Sequence, residues 1–268
     1  MAGAKGEQEE GEHNKTGEMR RVFEDVYRQA RWGRFQGKAY SGSGSAPQLT
    51  GGYRAFLTGF FRNYSIRSVL DAPCGLWTFS QLMDWGPVRR YLGIDIVPFI
   101  LDDNRRIAQG LNLVAGLDVC VGIVLASGLW IVHQAPTNTS FEFAAESITS
   151  PSLPPADLII TKDAHIHLPN SEIQRHLQLL ASRMSEGQCR YKHALITNAV
   201  DPRPERNNRD TKAGFHFRRV DIRQPPFGWA TAQPAYRFPE PEAVKLTLHA
   251  DFRGPPWHCT AFASDNMG

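Results

Sequence analysis

The hydrophobic positions fall into short apolar runs that alternate with segments of helical spacing. Tyr53, Phe56, Leu57, Phe60 and Phe61 share one face at that spacing, which predicts a helix over 51–64. The run Ile66-Arg67-Ser68-Val69-Leu70-Asp71 is short and apolar and leads into Pro73-Cys74-Gly75, as a buried strand ending in a tight turn does. A helix over 77–85 follows, then a second strand, Tyr91-Leu92-Gly93-Ile94-Asp95-Ile96, and a helix over 98–108 with Pro98 in its first turn. Further strands are expected at 141–144, 157–163 and 193–200. Between the last two lies a helix over 171–184, capped by Asn170 or Ser171, with Ile173, Leu177 and Leu180 as its apolar stripe. The pairs 244–249 and 258–263, joined by Gly254-Pro255-Pro256, read as closing strands, and 22–32 as a short helix. Strands alternating with helices imply an α/β fold of the Rossmann-like, doubly wound kind. Its sheet is mostly parallel and seven-stranded, with helices on both faces.

Two stretches break this pattern. Residues 1–20 hold almost no apolar side chain and carry Glu7, Glu9, Glu10 and Glu12, so they read as a flexible acidic tail ahead of a single domain over 21–268. They match neither a secretory signal nor a mitochondrial presequence. The stretch 111–132, within an apolar insert at about 111–135, carries one charge, Asp118. Its uncharged part, 119–132, is shorter than the ~20 residues a membrane span needs. A buried or surface-packed helix is the expectation there, with membrane contact as the lesser reading.

Composition narrows the picture further. At 268 residues, with 41% hydrophobic and 21% charged, the chain has the make-up of a globular protein. A net charge of +3 leaves no footprint for a dedicated nucleic-acid binder. Cys74, Cys120, Cys189 and Cys259 form no CxxC pair, so neither a zinc cluster nor a disulfide framework is indicated, and a cytoplasmic protein with reduced thiols is expected.

The candidate chemistry lies where strands end, because open α/β sheets bind ligands outside the carboxyl ends of their strands. Asp71 ends a strand, the turn Ala72-Pro73-Cys74-Gly75 brings a glycine close to a helix start, and Asp95 ends the next strand. An acid there can accept from both hydroxyls of a ribose. The dinucleotide fingerprint GxGxxG is absent, which argues against a nicotinamide oxidoreductase. Asp163, His165 and His167 follow the fourth strand. His-x-His without a fourth ligand is a weak metal signal, and no metal is expected. Asp163 or His167 is the candidate general base. A late basic run from Arg203 to Arg223 reads as a solvated loop or as a recognition site for an anionic substrate, with Asn208 and Asp210 in the same loop.

These motifs, taken in order, resemble class I S-adenosylmethionine-dependent methyltransferases. Ser68 to Gly75 resembles their glycine-rich first motif, Tyr91 to Val97 the second, and Asp157 to Asp163 with His165 to Asn170 the fourth-strand motif. The match is closer to a poorly characterised subgroup, through Ser41 to Ser45, Asn208-Arg209-Asp210 and Pro225-Pro226-Phe227. The resemblance implies S-adenosyl-L-methionine as cofactor and a small-molecule methyl acceptor. It implies that Asp71, Ala72, Pro73 and Gly75 face the methionine part, that Asp95 holds the ribose and that Ile96 packs on the adenine. Glu146 or Ser147 stands where the family has an Asp that meets the adenine amino group. Asp163 is implied near the methyl donor, and the Ser-Gly stretch over its amino-acid end. Leu76 stands where the family has a polar residue. With Ser147 and the apolar insert, it leaves a catalytically inactive, methyltransferase-like binding or regulatory protein as the alternative.

Overall fold

Seven strands form one sheet: β1 (Ser68–Asp71), β2 (Arg90–Asp95), β3 (Ser140–Ala145), β4 (Ala156–Lys162), β5 (Tyr191–Val200), β6 (Gln233–Pro239) and β7 (Val244–Asp251). The computed structural model describes residues 2–35, 37–115, 122–125, 128–131, 138–184, 187–240 and 243–253. The strand order is β6-β7-β5-β4-β1-β2-β3, and only β7 runs against the others. The order reverses beside β1, where β2 and β4 flank it and their onward connections leave to opposite sides. Strand β5 is buried at nine of its ten positions, as a central strand covered on both faces must be.

The helices are α1 (Ala2–Arg28), α2 (Gly51–Asn63), α3 (Pro98–Ala115) and α4 (Asn170–Leu180). Helix α2 packs its apolar face inward and stacks Phe56 on Tyr236 of β6, ring centroids 4.7 Å apart. Helix α4 buries Ile173, Leu177 and Leu180 as its stripe predicts. It stops at Leu180 rather than Met184, and neither Asn170 nor Ser171 caps it. A distant residue, Asp210, instead accepts the Asn170 N–H at 2.8 Å.

Several expectations are corrected. The short helix expected over 22–32 is part of a longer one, α1, which starts at Ala2 and ends at Arg28. Glu, Gln, Lys and Arg are good helix formers, and burial of Phe23, Val26 and Tyr27 anchors the far end of the helix. An anchored turn removes the nucleation cost for those before it. Of 77–85, only Ser80–Leu82 makes a single 3-10 turn. Trp77 and Trp85 are drawn instead into an aromatic cluster with Tyr91 and Phe141, and Asn104 of α3 takes the Trp77 N–H. In the apolar stretch, α3 continues to Ala115, and Gly122–Leu125 pairs antiparallel with Gly128–Ile131. No helix among the described residues is long and apolar enough to cross a membrane. The expected strand 258–263 lies outside the described residues. The partner of β7 is β6, whose Pro234 and Pro239 argue against a strand by pattern but are tolerated at a sheet edge. Cys74 is buried and free, and Cys120 and Cys259 lie outside the described residues.

Candidate functional site

A pocket opens at the carboxyl ends of β1, β2 and β4, beside the point where the strand order reverses. The turn after β1 forms its floor. Ala72 N–H donates to Ile160 O (2.8 Å) and Cys74 N–H to Ile94 O (2.7 Å), so the turn is fastened to both neighbouring strands. Asn104 of α3 donates to Gly75 O at 2.8 Å from beneath. Gly75 has φ +54°, and a Cβ there would lie 2.7 Å from Ser41 Oγ. Only glycine meets both conditions. Ser41 Oγ in turn accepts the Leu76 N–H at 2.8 Å and pairs with Tyr27 OH at 2.8 Å.

Two buried acids lie beside this turn. Asp95 Oδ2 accepts the Gly75 N–H (3.1 Å) and Oδ1 the Val97 N–H (2.9 Å). Burial pushes its carboxyl up to about 6, against the pull of those backbone N–H groups. Asp71 Oδ2 accepts from Tyr91 OH at 2.7 Å. Burial raises Asp71 to about 7, opposed by the Tyr91 bond and Lys162 and reinforced by Asp95. Each carboxylate oxygen keeps lone pairs beyond those in use. The floor is therefore rich in acceptors and suited to a diol or a cation.

Asp163, at φ +58°, follows β4 and sits between two ammonium groups. Lys162 Nζ lies 2.5 Å from Oδ2 and Lys245 Nζ, reaching over from β7, 2.6 Å from Oδ1. Burial alone would raise this acid, but the two lysines outweigh it and hold the carboxyl well below the usual range. So held, it stays ionised beside the pocket. Lys162 also donates to Gly44 O at 2.7 Å, drawing the Ser-Gly stretch onto the pocket rim.

His167 lines the same pocket. Its Nδ1 lies 3.0 Å from His216 O, and a carbonyl only accepts, so Nδ1 carries the proton; the Gly214 backbone also bonds the ring. Burial pushes its pKa down to about 4, which leaves the ring neutral near pH 7. Its ring packs on Trp32, centroids 4.8 Å apart. His165, considered with it for metal, is fully buried and bonded to His176 and Asn198 instead.

The pocket thus gathers Asp71, Pro73, Gly75, Asp95, Ile96, Glu146, Ser147, Asp163 and His167. Ala72 is not among its lining; it is fully buried behind the turn. Glu146 is engaged through Ser152 (3.2 Å), and Ser147 Oγ through Thr149 (2.9 Å). Sequence reasoning missed Met19, Phe23 and Tyr27 of α1, together with Trp32, Phe79 and Lys162. The spacing of Met19, Phe23 and Tyr27 at intervals of four was the available signal for the α1 face. The late arginines are largely committed to the protein itself. Arg203 and Arg219 pair with Asp201, Arg223 pairs with Asp221, and Arg218 bonds Asn170 and the Leu168 carbonyl. Asn208 is a buried tie to Asp221 and Pro225.

No family model matches the sequence, and no curated protein does. Among solved structures, a 1,6-didemethyltoxoflavin-N1-methyltransferase from Burkholderia thailandensis, solved with 1,6-didemethyltoxoflavin and S-adenosylhomocysteine, is similar over 90% of both chains, at 13% identity and TM-score 0.53. An N-methyltransferase from Bradyrhizobium japonicum covers 78% of this chain and 89% of its own (12% identity, TM-score 0.49). A magnesium protoporphyrin IX methyltransferase from Synechocystis covers 76% and 77% (18% identity, TM-score 0.46). The fold is that of the class I S-adenosylmethionine-dependent methyltransferases.

Proposed function

We propose that this chain binds S-adenosyl-L-methionine in the pocket at the ends of β1, β2 and β4 and transfers its methyl group to a small-molecule acceptor. One observation carries the reading: two buried acceptor carboxyls, Asp71 and Asp95, flank a glycine turn, and a neutral histidine, His167, lines the same pocket. The residues fit the cofactor, since a sulfonium with an amino group is cationic and a ribose offers two hydroxyls to Asp95. When bound, S-adenosylmethionine supplies an electrophilic methyl group on sulfur. Asp71 and the backbone of Pro73 and Gly75 hold the methionine end. Ile96 covers the adenine, and Glu146 or Ser147 accepts from its amino group. Met19, Phe23 and Trp32 wall the acceptor side with apolar and aromatic surface. His167 takes the proton of an acceptor that must lose one.

Binding without transfer is a second reading, favoured by the pairing of Asp163 with Lys162 and Lys245. Calorimetric titration with S-adenosylmethionine is expected to give saturable binding, weakened at least about tenfold by Asp95→Ala, as loss of a charged hydrogen-bond acceptor implies. No binding at millimolar ligand would overturn both readings. Binding with no methyl transfer across a panel of hydroxyl, amine and heteroaromatic acceptors would favour the second.

A further inference from the structure

At the other end of the sheet, β5 and β7 bring three ligand-bearing side chains together. His193 faces Asp251 across the antiparallel ladder, and His249 precedes Asp251 by two positions, so it shares a face with it. His193 Nδ1 lies 3.0 Å from His249 Nε2 and 3.7 Å from Asp251 Oδ1. The three ligand atoms all lie within 4.8 Å of one another. We propose that His193, His249 and Asp251 bind a divalent transition-metal ion, zinc in the first instance, at a site separate from the pocket.

The geometry fits. Tetrahedral zinc with bonds of about 2.0–2.1 Å holds its ligand atoms about 3.3 Å apart, and the spacings here bracket that value. Two imidazoles and one carboxylate are a donor set that zinc accepts with a fourth position left for water. All three ligands stand on regular strands rather than loops, which fixes their directions. The surroundings orient them further. Phe60 of α2 and Tyr64, just past its end, meet both imidazoles edge-on, at centroid distances from 4.8 to 5.7 Å. Arg253 holds the Asp251 carboxylate through Nε on Oδ1 (3.0 Å) and Nη2 on Oδ2 (2.6 Å), and its backbone N–H also reaches Oδ1 (3.0 Å). Such outer hydrogen bonds accompany ligating carboxylates. An entry path exists as well: His249 borders a groove between α2 and β6 lined by Asn63, Tyr64 and Gln233.

The competing explanation is a hydrogen-bonded histidine pair packed on two aromatic rings, with no affinity for metal. Titration of the tag-free, chelator-treated full-length protein separates the two. The expected result is saturation at one equivalent of Zn²⁺ with a higher melting temperature, and with Co²⁺ the visible absorption bands of a low-coordinate site. His249→Ala and Asp251→Asn, each with an unchanged far-ultraviolet circular dichroism spectrum, are expected to weaken binding at least about tenfold. Absence of saturable binding by the parent protein, or binding that survives both substitutions, would overturn the site.

Discussion

Asp95 has its acceptor atoms already shared with the Gly75 and Val97 N–H groups and its carboxyl raised to about 6 by burial. Its value to a ribose depends on ionisation, since the protonated form loses acceptor capacity. One pH unit below its pKa, only about a tenth of the group is ionised. The sign follows: affinity for S-adenosylmethionine is expected to be highest above pH 7 and to fall towards pH 5. Titration of Asp71 in the same range, at about 7, acts in the same direction. Calorimetry at pH 5 and pH 8 checks this, and equal affinities would exclude an ionised Asp95 as the ribose ligand. The positions of Asp71, Gly75 and Asp95 were legible because each is set by its neighbours in sequence, a strand end or a turn. Lys162 and Lys245 were not. The pairing of Lys245 with Asp163 joins residues 82 positions apart, and no local pattern carries it.

Among the elements, α1 departs most from expectation. A short helix was expected over 22–32, yet its backbone is helical from Ala2 to Arg28, and its last turns bury Phe23, Val26 and Tyr27 against the core. Phe23 is 8% exposed and also lines the pocket. Phe23→Ala is therefore expected to destabilise the protein by about 3 kcal/mol in urea unfolding and to weaken cofactor binding. A change within about 0.5 kcal/mol, as at a free surface position, would mean that α1 does not pack there. The segment 77–85 and strand β6 misled for a related reason. Two tryptophans found better partners in the aromatic cluster than along a helix, and two prolines were accommodated because β6 is an edge. Local preference is a weak prior that tertiary packing overrides.

Across the whole molecule, the charge cluster at Asp163 joins parts that are distant in sequence. Lys162 and Asp163 close β4, Lys245 and Glu240 come from the β6–β7 hairpin, and Gly44 belongs to the Ser-Gly stretch. Lys162, Lys245 and Glu240 have side chains only 5–6% exposed. Asp163→Asn keeps a residue that tolerates the left-handed backbone but leaves two buried ammonium groups facing one carboxylate. Breaking a buried pair in this way costs about 3–5 kcal/mol. Thermal or urea unfolding measures it, and an unchanged stability would show that solvent already screens the cluster. By itself the sequence determined the alternation of strands and helices, the strand-end acids and the glycine turn, because these follow from side-chain period and backbone conformation over a few residues. Only the tertiary structure decided that α1 and Trp32 wall the pocket, that Asp163 is held by lysines while His167 packs on Trp32, and that His193 meets His249 and Asp251. Those outcomes depend on burial and on contacts between remote segments, which exist only once the sheet has assembled.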